Sequence, residues 1–380
     1  MVKKLLQKFR HWRFPYTPLV EITIFKDRLL HNLHTFQNIN PALTIAPVLK
    51  ADAYGHGIGL IAKIVDGEKI PFIVVDSYHE ALILRNENVR SPILMIGYTA
   101  LENILKNKLK RVAFTVTSLG QLEEISKNLT RPTRFHLKID TGMHRQGILV
   151  QEISRATELV RANSKICLEG VSSHLADADR ETSEFTDTQI KIWNELVKTW
   201  KKEFPDTKYF HLSATSGALL SEAITANVLR LGIGLYGIDP TQNVRIPKLK
   251  PVLEMKSILS GTKTIEKGEK IGYGGTFQAP NTMRIATIPA GYYEGIDRRL
   301  SNKGFVKIGY HFCPIVGRVS MNITAIDVTD VPEATLNTPV VIVSSNSEDK
   351  NCLNKSAELA GTIPYELLVH IPQGLRRKVI

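Results

Sequence analysis

Apolar and β-branched residues fall into short runs that recur along the first two thirds of the chain. The runs occupy residues 44–50, 71–77, 92–97, 112–118, 134–140, 168–174, 209–213 and 228–237. Each has the length of a buried strand, and most of the intervals between them carry helical periodicity. The clearest interval is 187–204, where Ile190, Trp193, Leu196, Val197 and Trp200 recur at spacings of three and four before Pro205 stops the pattern. A Trp193/Trp200 stripe at this spacing is helix core packing. Eight strands alternating with helices predict a closed (β/α)8, TIM-like barrel. An open doubly wound sheet would alternate in the same way. Its usual GxGxxG turn after the first strand is absent, and Lys50-Ala-Asp-Ala-Tyr-Gly-His-Gly57 stands there instead.

Beyond Pro251 the texture changes. Glycines multiply, apolar runs shorten and helical periodicity fades. Residues 283–289, 305–308, 315–319 and 340–344 read as short strands between turns, and 354–361 as a helix. The α/β barrel is therefore expected to be followed by a mostly β C-terminal domain. The expected boundaries are a basic extension over 1–15, a barrel over 16–247 and the β domain over 248–380. A first strand at about 19–24 is free to join the β domain.

Composition narrows the function classes. The formal charge is +12, but Lys3, Lys4, Lys8, Arg10, Arg13, Arg376, Arg377 and Lys378 account for eight of those charges. Basic ends, not a basic face, set the charge, so no nucleic-acid partner is expected. The N-terminal extension reads as a disordered or docking segment, with an anionic membrane surface as a weaker alternative and no stable membrane association expected. Three scattered cysteines, Cys167, Cys313 and Cys352, form no disulfide framework or zinc motif. The basic start lacks the apolar stretch of a signal peptide, and no apolar run approaches the ~20 residues that span a bilayer. A cytoplasmic location is the expectation. His31, His34, His79, His136, His311 and His370 show no metal-ligand spacing and read as packed or solvated side chains; no metal is expected.

Barrel enzymes carry their chemistry at the C-terminal ends of the strands. Lys50 ends the first run, directly after the apolar Ile45-Ala-Pro-Val-Leu49. A lone lysine at a strand end is most often a surface residue. One that enters a buried mouth loses hydration, which favours its neutral amine and makes it a nucleophile toward a carbonyl, the requirement for a Schiff base. Asp140, Thr141 and Arg145 follow the fifth run, His174 the sixth, Thr215 and Ser216 the seventh, and Arg230 lies inside the eighth. Tyr54-Gly-His-Gly57 and Gly232-Ile-Gly234 offer backbone amides and Ser216 a hydroxyl, the groups that gather round a phosphate.

Together these segments resemble the alanine racemases, a family built from a (β/α)8 barrel and a C-terminal β domain that uses pyridoxal 5'-phosphate. Ala46-Pro-Val-Leu-Lys50-Ala-Asp-Ala-Tyr-Gly-His-Gly57 is similar to the family's cofactor-lysine motif. Residues 138–147, 169–179, 230–237, 272–277, 291–295 and 314–321 resemble further family motifs in the same order, so the resemblance covers about 19–380. Barrel-only pyridoxal-phosphate proteins share the lysine motif but lack the second domain, to which 272–277, 291–295 and 314–321 belong.

The resemblance implies an isomerase that interconverts L- and D-alanine by a two-base mechanism. It implies a homodimer and a supply of D-alanine for cell-wall peptidoglycan. Lys50 would anchor the cofactor and serve as one base; Tyr273, from the partner subunit, would be the other. A tyrosine with an unperturbed pKa near ~10 needs a neighbouring donor or cation for that role, and His174, with Arg230 beyond it, would provide one. Arg230 would meet the cofactor's ring nitrogen. Tyr54, Ser216, Gly232 and Ile233 would contact the phosphate, and Arg145 and Met321 the substrate. Lys138, carbamylated in many members, Asp179 and Tyr292 would support the site.

There are departures from the family pattern. Ser320 and Asn322 flank Met321 where Cys and Asp are common, and Glu294 replaces a common Asp. The 211–216 segment lacks the frequent Asn-Ser pair, and Gln373-Gly374 stands near where a phosphate-binding tyrosine is usual. These touch substrate breadth and the phosphate cup. A broader racemase acting on serine or lysine, and a non-catalytic pyridoxal-phosphate carrier, are the alternatives.

Overall fold

The structure, a computed structural model, describes residues 16–180, 183–241, 246 and 249–380. The basic extension expected over 1–15 lies outside the described residues. The chain divides into two compact units. One comprises Phe25–Val252 with Val379–Ile380; the other comprises the described residues up to Ile24 together with Leu253–Lys378.

The first unit is the barrel. Its strands are Thr44–Pro47, Ile73–Val75, Ile93–Met95, Val112–Val116, Thr133–Asp140, Ile166–Ser172, Tyr209–His211 and Val228–Leu231. The second to seventh pair in parallel in chain order. The eighth pairs in parallel with the first, Leu229 opposite Ile45. A bridge between Val48 and Val74 joins the first strand to the second, and the Arg230 amide donates to the Ser213 carbonyl at 3.1 Å on the other side. Those links close the ring. All eight runs read from the sequence are present, most of them shorter than the apolar stretch.

Most strand residues of the barrel are buried on both faces, which is why the runs are continuous rather than alternating. The helix read at 187–204 spans Glu184–Glu203. Ser183 caps it by accepting from the Thr186 amide at 3.2 Å, acids sit in its first turn and Lys201 and Lys202 in its last. Its Trp193 and Trp200 are fully buried, and the Trp193 indole donates to the Thr225 carbonyl at 3.0 Å.

The second unit is mostly β. A six-stranded sheet runs in the order His311–Pro314, Phe305–Ile308, Pro339–Val343, Leu253–Ile258, Glu21–Ile24, Arg376–Val379. A three-stranded sheet orders Gly261–Ile265, Met283–Ile288, Thr324–Asp327. Helices Leu353–Ala360 and Pro364–Val369 follow. The strand expected at 315–319 is absent. The chain instead pairs at His311–Pro314, and only Ile315 makes an isolated bridge, to Ile326. Gly317, at φ +75° with its amide bonded to Asn302 Oδ1, turns the chain out of the extended conformation.

Candidate active site

At the C-terminal end of the first barrel strand the backbone does something unusual for L-residues. Ala51, Asp52, Ala53 and Tyr54 all have φ between 52° and 54°, a full left-handed turn. Each such residue costs roughly 1–2 kcal/mol, so the turn persists only where its surroundings over-determine it. It is held by Ala53 N–H to Leu49 O at 2.9 Å, Gly55 N–H to Ala51 O at 3.1 Å and Ile58 N–H to Asp52 Oδ1 at 2.8 Å. Lys50 opens this turn. Its side chain is 40% exposed, not buried as the preceding apolar run leads one to expect, and Nζ lies 3.9 Å from Asp76 Oδ1. The turn lifts the lysine out of the apolar run and into the open mouth.

Inside the barrel the dominant group is Arg230, buried in the eighth strand. One terminal nitrogen donates to His211 O at 2.7 Å and His211 Nδ1 at 2.8 Å. The other donates to Ser173 O at 2.8 Å, Leu212 O at 2.9 Å and His174 Nδ1 at 3.0 Å. Burial lowers its pKa to about 10, which leaves it charged at neutral pH. An arginine donates only, so both histidines must accept at Nδ1 and carry their protons on Nε2. His211 Nε2 then donates to His136 Nδ1 at 2.8 Å. One guanidinium thus dictates the tautomers of three imidazoles. Burial, reinforced by the Arg230 charge, holds His136 at about 3 and His174 and His211 well below their ordinary value, so all three are neutral.

Lys138 lies on the same inward face of the fifth strand as His136 and Asp140, two residues from each. Burial, then the charges of Arg230 and Arg145, lower its pKa to about 8. Asp140 Oδ1 accepts from the amides of Gly142 and His144 at 2.9 and 3.1 Å and so shapes the loop carrying Arg145, which is exposed. Gln189, from the long helix, donates to the His174 carbonyl at 3.0 Å and accepts from the Ala176 amide at 2.9 Å, fixing the loop on which Asp179 is exposed.

A second feature of the barrel mouth lies between Tyr54 and the turn after the eighth strand. A Cβ placed on Gly232 would meet the Tyr54 hydroxyl oxygen at 2.8 Å. Only glycine leaves that hollow open. Gly232 and Ile233 head the 3-10 turn Ile233–Tyr236, and Ser216 heads the 3-10 turn Ser216–Ala223. Ser213 Oγ is buried there without a hydrogen-bond partner among the described residues. A hydroxyl, backbone amides and an unpartnered buried oxygen make a cup that fits a phosphate.

Tyr273, Tyr292 and Met321 belong to the β unit, where they line a cavity of about 750 Å³ with Ser320, Arg298 and His370. Tyr273 is 71% exposed. Two of the departures from the family pattern meet here: the Asn322 amide donates to Glu294 Oε1 at 2.8 Å, while Glu294 Oε2 accepts from the Gly291 amide at 2.8 Å. A side-chain hydrogen bond therefore joins the two positions.

The structure gathers Lys50, Tyr54, Lys138, His174, Arg230, Gly232 and the cup residues in one unit. It adds residues that the sequence reading did not single out: Asp76, Glu80, Gln189 and His211, with His136, which that reading set aside. The period of two along 133–140 was the available signal for His136, since it shares a strand face with Lys138.

Among the described residues no cluster of His, Cys, Asp and Glu could hold a metal ion, and no helix is long and apolar enough to cross a membrane. The sequence profile of the alanine racemase N-terminal domain matches residues 24–240, and that of the alanine racemase C-terminal domain matches 252–379. The chain is 34% identical over 369 residues to the alanine racemase of Sorangium cellulosum, covering 92% of this chain and 96% of that one. It is 30% identical over 382 residues to alanine racemase 1 of Clostridium acetobutylicum, covering 98% and 97%. Among solved structures, alanine racemase from Bacillus anthracis with bound L-Ala-P superposes with a TM-score of 0.87 at 30% identity, covering 97% of this chain and 96% of that one. Matched across both of its units, the chain belongs to the alanine racemase family of isomerases.

Proposed function

We propose that this chain interconverts L- and D-alanine with pyridoxal 5'-phosphate, acting as a homodimer whose product serves cell-wall peptidoglycan. The observation that carries the reading is the buried Arg230 hub beside a phosphate-shaped cup and a strand-end lysine. Lys50 would hold the cofactor covalently, Tyr54, Ser216, Gly232 and Ile233 its phosphate, and Arg230 its ring nitrogen. When bound, the cofactor supplies an electron sink that makes the α-proton of the amino acid removable.

The residues of this chain then govern the proton. Arg230 keeps its own proton and would donate to a nitrogen facing it without protonating it, which would favour return of the proton to the α-carbon. Racemisation needs bases on opposite faces, since the proton must leave one and arrive at the other. Lys50 Nζ is the proposed base on one face and Tyr273 Oη, from a partner subunit, the other. His174 presents an Nε2–H that can only donate, so it would stabilise a deprotonated tyrosine oxygen. Arg145 and the Met321 amide would orient the substrate carboxylate. Lys138, with a pKa of about 8, keeps an appreciable neutral amine fraction near neutral pH, the form that carbamylation requires.

The test is circular dichroism of L- and D-alanine with the cofactor-loaded enzyme, run beside serine and lysine. Racemisation of alanine well above the other two is expected. Equal rates on lysine would replace the substrate assignment, and a yellow protein that racemises nothing would make it a carrier.

A further inference from the structure

We infer that Glu80 is a positioning residue for Lys50: it clamps the left-handed turn that Lys50 opens onto the end of the second barrel strand. The inference rests on Lys50 being the cofactor lysine. The first amide after the lysine, Ala51 N–H, is turned away from the bonds within the turn and donates to Glu80 Oε1 at 2.7 Å. Glu80 Oε2 accepts from Asp76 N–H at 2.7 Å and Ser77 N–H at 3.2 Å. One carboxylate therefore fastens the residue that follows Lys50 to the residue whose side chain is the ion partner of Lys50.

Helix capping alone does not account for this. Glu80 and Ser77 form the capping box of helix Tyr78–Asn86, in which Ser77 Oγ accepts from Glu80 N–H at 3.2 Å. That motif needs only the Ser77 amide. The two shorter bonds, to Ala51 and Asp76, are additional to it, and both lead to Lys50. Four consecutive left-handed residues are unstable without such a tie. A carboxylate can accept on both oxygens, whereas a glutamine has one acceptor and must point its NH₂ at an amide on the other side. Glu80→Gln keeps the size and removes the clamp.

Ser77→Ala is the control, because it weakens the same cap without touching Ala51. Four readouts separate positioning from folding. In Glu80→Gln, hydrogen exchange at the 51–54 amides should quicken, and in Ser77→Ala it should not. Binding of pyridoxine 5'-phosphate, which lacks the aldehyde and cannot join Lys50, should stay within about twofold in both. The ~420 nm absorbance of the Lys50-linked cofactor and kcat should each fall about tenfold or more in Glu80→Gln alone, as for a lost charge-assisted hydrogen bond. Equal losses in the two variants, or attachment and kcat within about twofold of wild type in Glu80→Gln, would overturn the inference. A wild-type protein that takes up no cofactor at Lys50 would refute the cofactor reading separately, since the exchange experiment still decides whether the clamp exists.

Discussion

Replacing His136 by Gln should make the protein markedly less sensitive to acid. His136, His174 and His211 are held neutral by burial and by the Arg230 charge, with His136 at about 3. In the unfolded chain each takes up a proton near pH 6.5. Between that value and the folded pKa the unfolded state binds more protons, so stability falls as the pH is lowered. From pH 7 to pH 5 His136 alone costs about 2 kcal/mol. That is a sizeable share of the stability of an ordinary domain, about 5–15 kcal/mol. Glutamine can still accept from His211 Nε2–H through its carbonyl oxygen, so the variant keeps the bond and loses the titration. Urea unfolding of wild type and His136→Gln at pH 7 and pH 5, at one protein concentration, reads the effect. The wild type should lose about 2 kcal/mol more than the variant over that interval. Identical pH dependence in the two would refute the claim that a neutral imidazole is buried beneath Arg230.

Two further outcomes follow from the geometry. Gly232→Ala should weaken cofactor binding by about tenfold or more, because the new methyl meets the Tyr54 hydroxyl at 2.8 Å; equilibrium dialysis measures it, and unchanged affinity would remove this hollow from the phosphate cup. Glu294→Ala and Asn322→Ala should not be additive in stability: the double-mutant cycle should show a coupling of about 0.5–1 kcal/mol, and additivity within ~0.3 kcal/mol would mean the pair is incidental.

Much of the barrel was legible because burial on both faces writes each strand as a continuous apolar run, and because the helix Glu184–Glu203 carries its core at three- and four-residue spacing. The turn at Lys50 was not. Alanine, aspartate and tyrosine rarely adopt φ near +53°, and local preference alone argues against it there. The turn exists because Glu80, Asp52 and the ends of two strands hold it, and those contacts depend on which strands become neighbours. The same holds for His136 and His211, 75 positions apart, which meet only because the fifth, sixth and seventh strands pair in register. The segment 315–319 is of another kind: its apolar run favours a strand, and Gly317 turns the chain there instead. The contact of Glu294 with Asn322 is hidden for the same reason as the histidine pair, since two loops 28 positions apart bring them together.

Lys50 and Tyr273 are proposed to act as bases on opposite faces of one substrate. Exchange of the α-hydrogen of L- and D-alanine with deuterated solvent, followed separately for Lys50→Ala and Tyr273→Phe, distinguishes this from a single base serving both faces. The two-base account predicts that each variant loses exchange chiefly from one enantiomer and that the two variants differ in which. Equal impairment of both enantiomers in both variants, or wild-type racemisation by Tyr273→Phe, would contradict it.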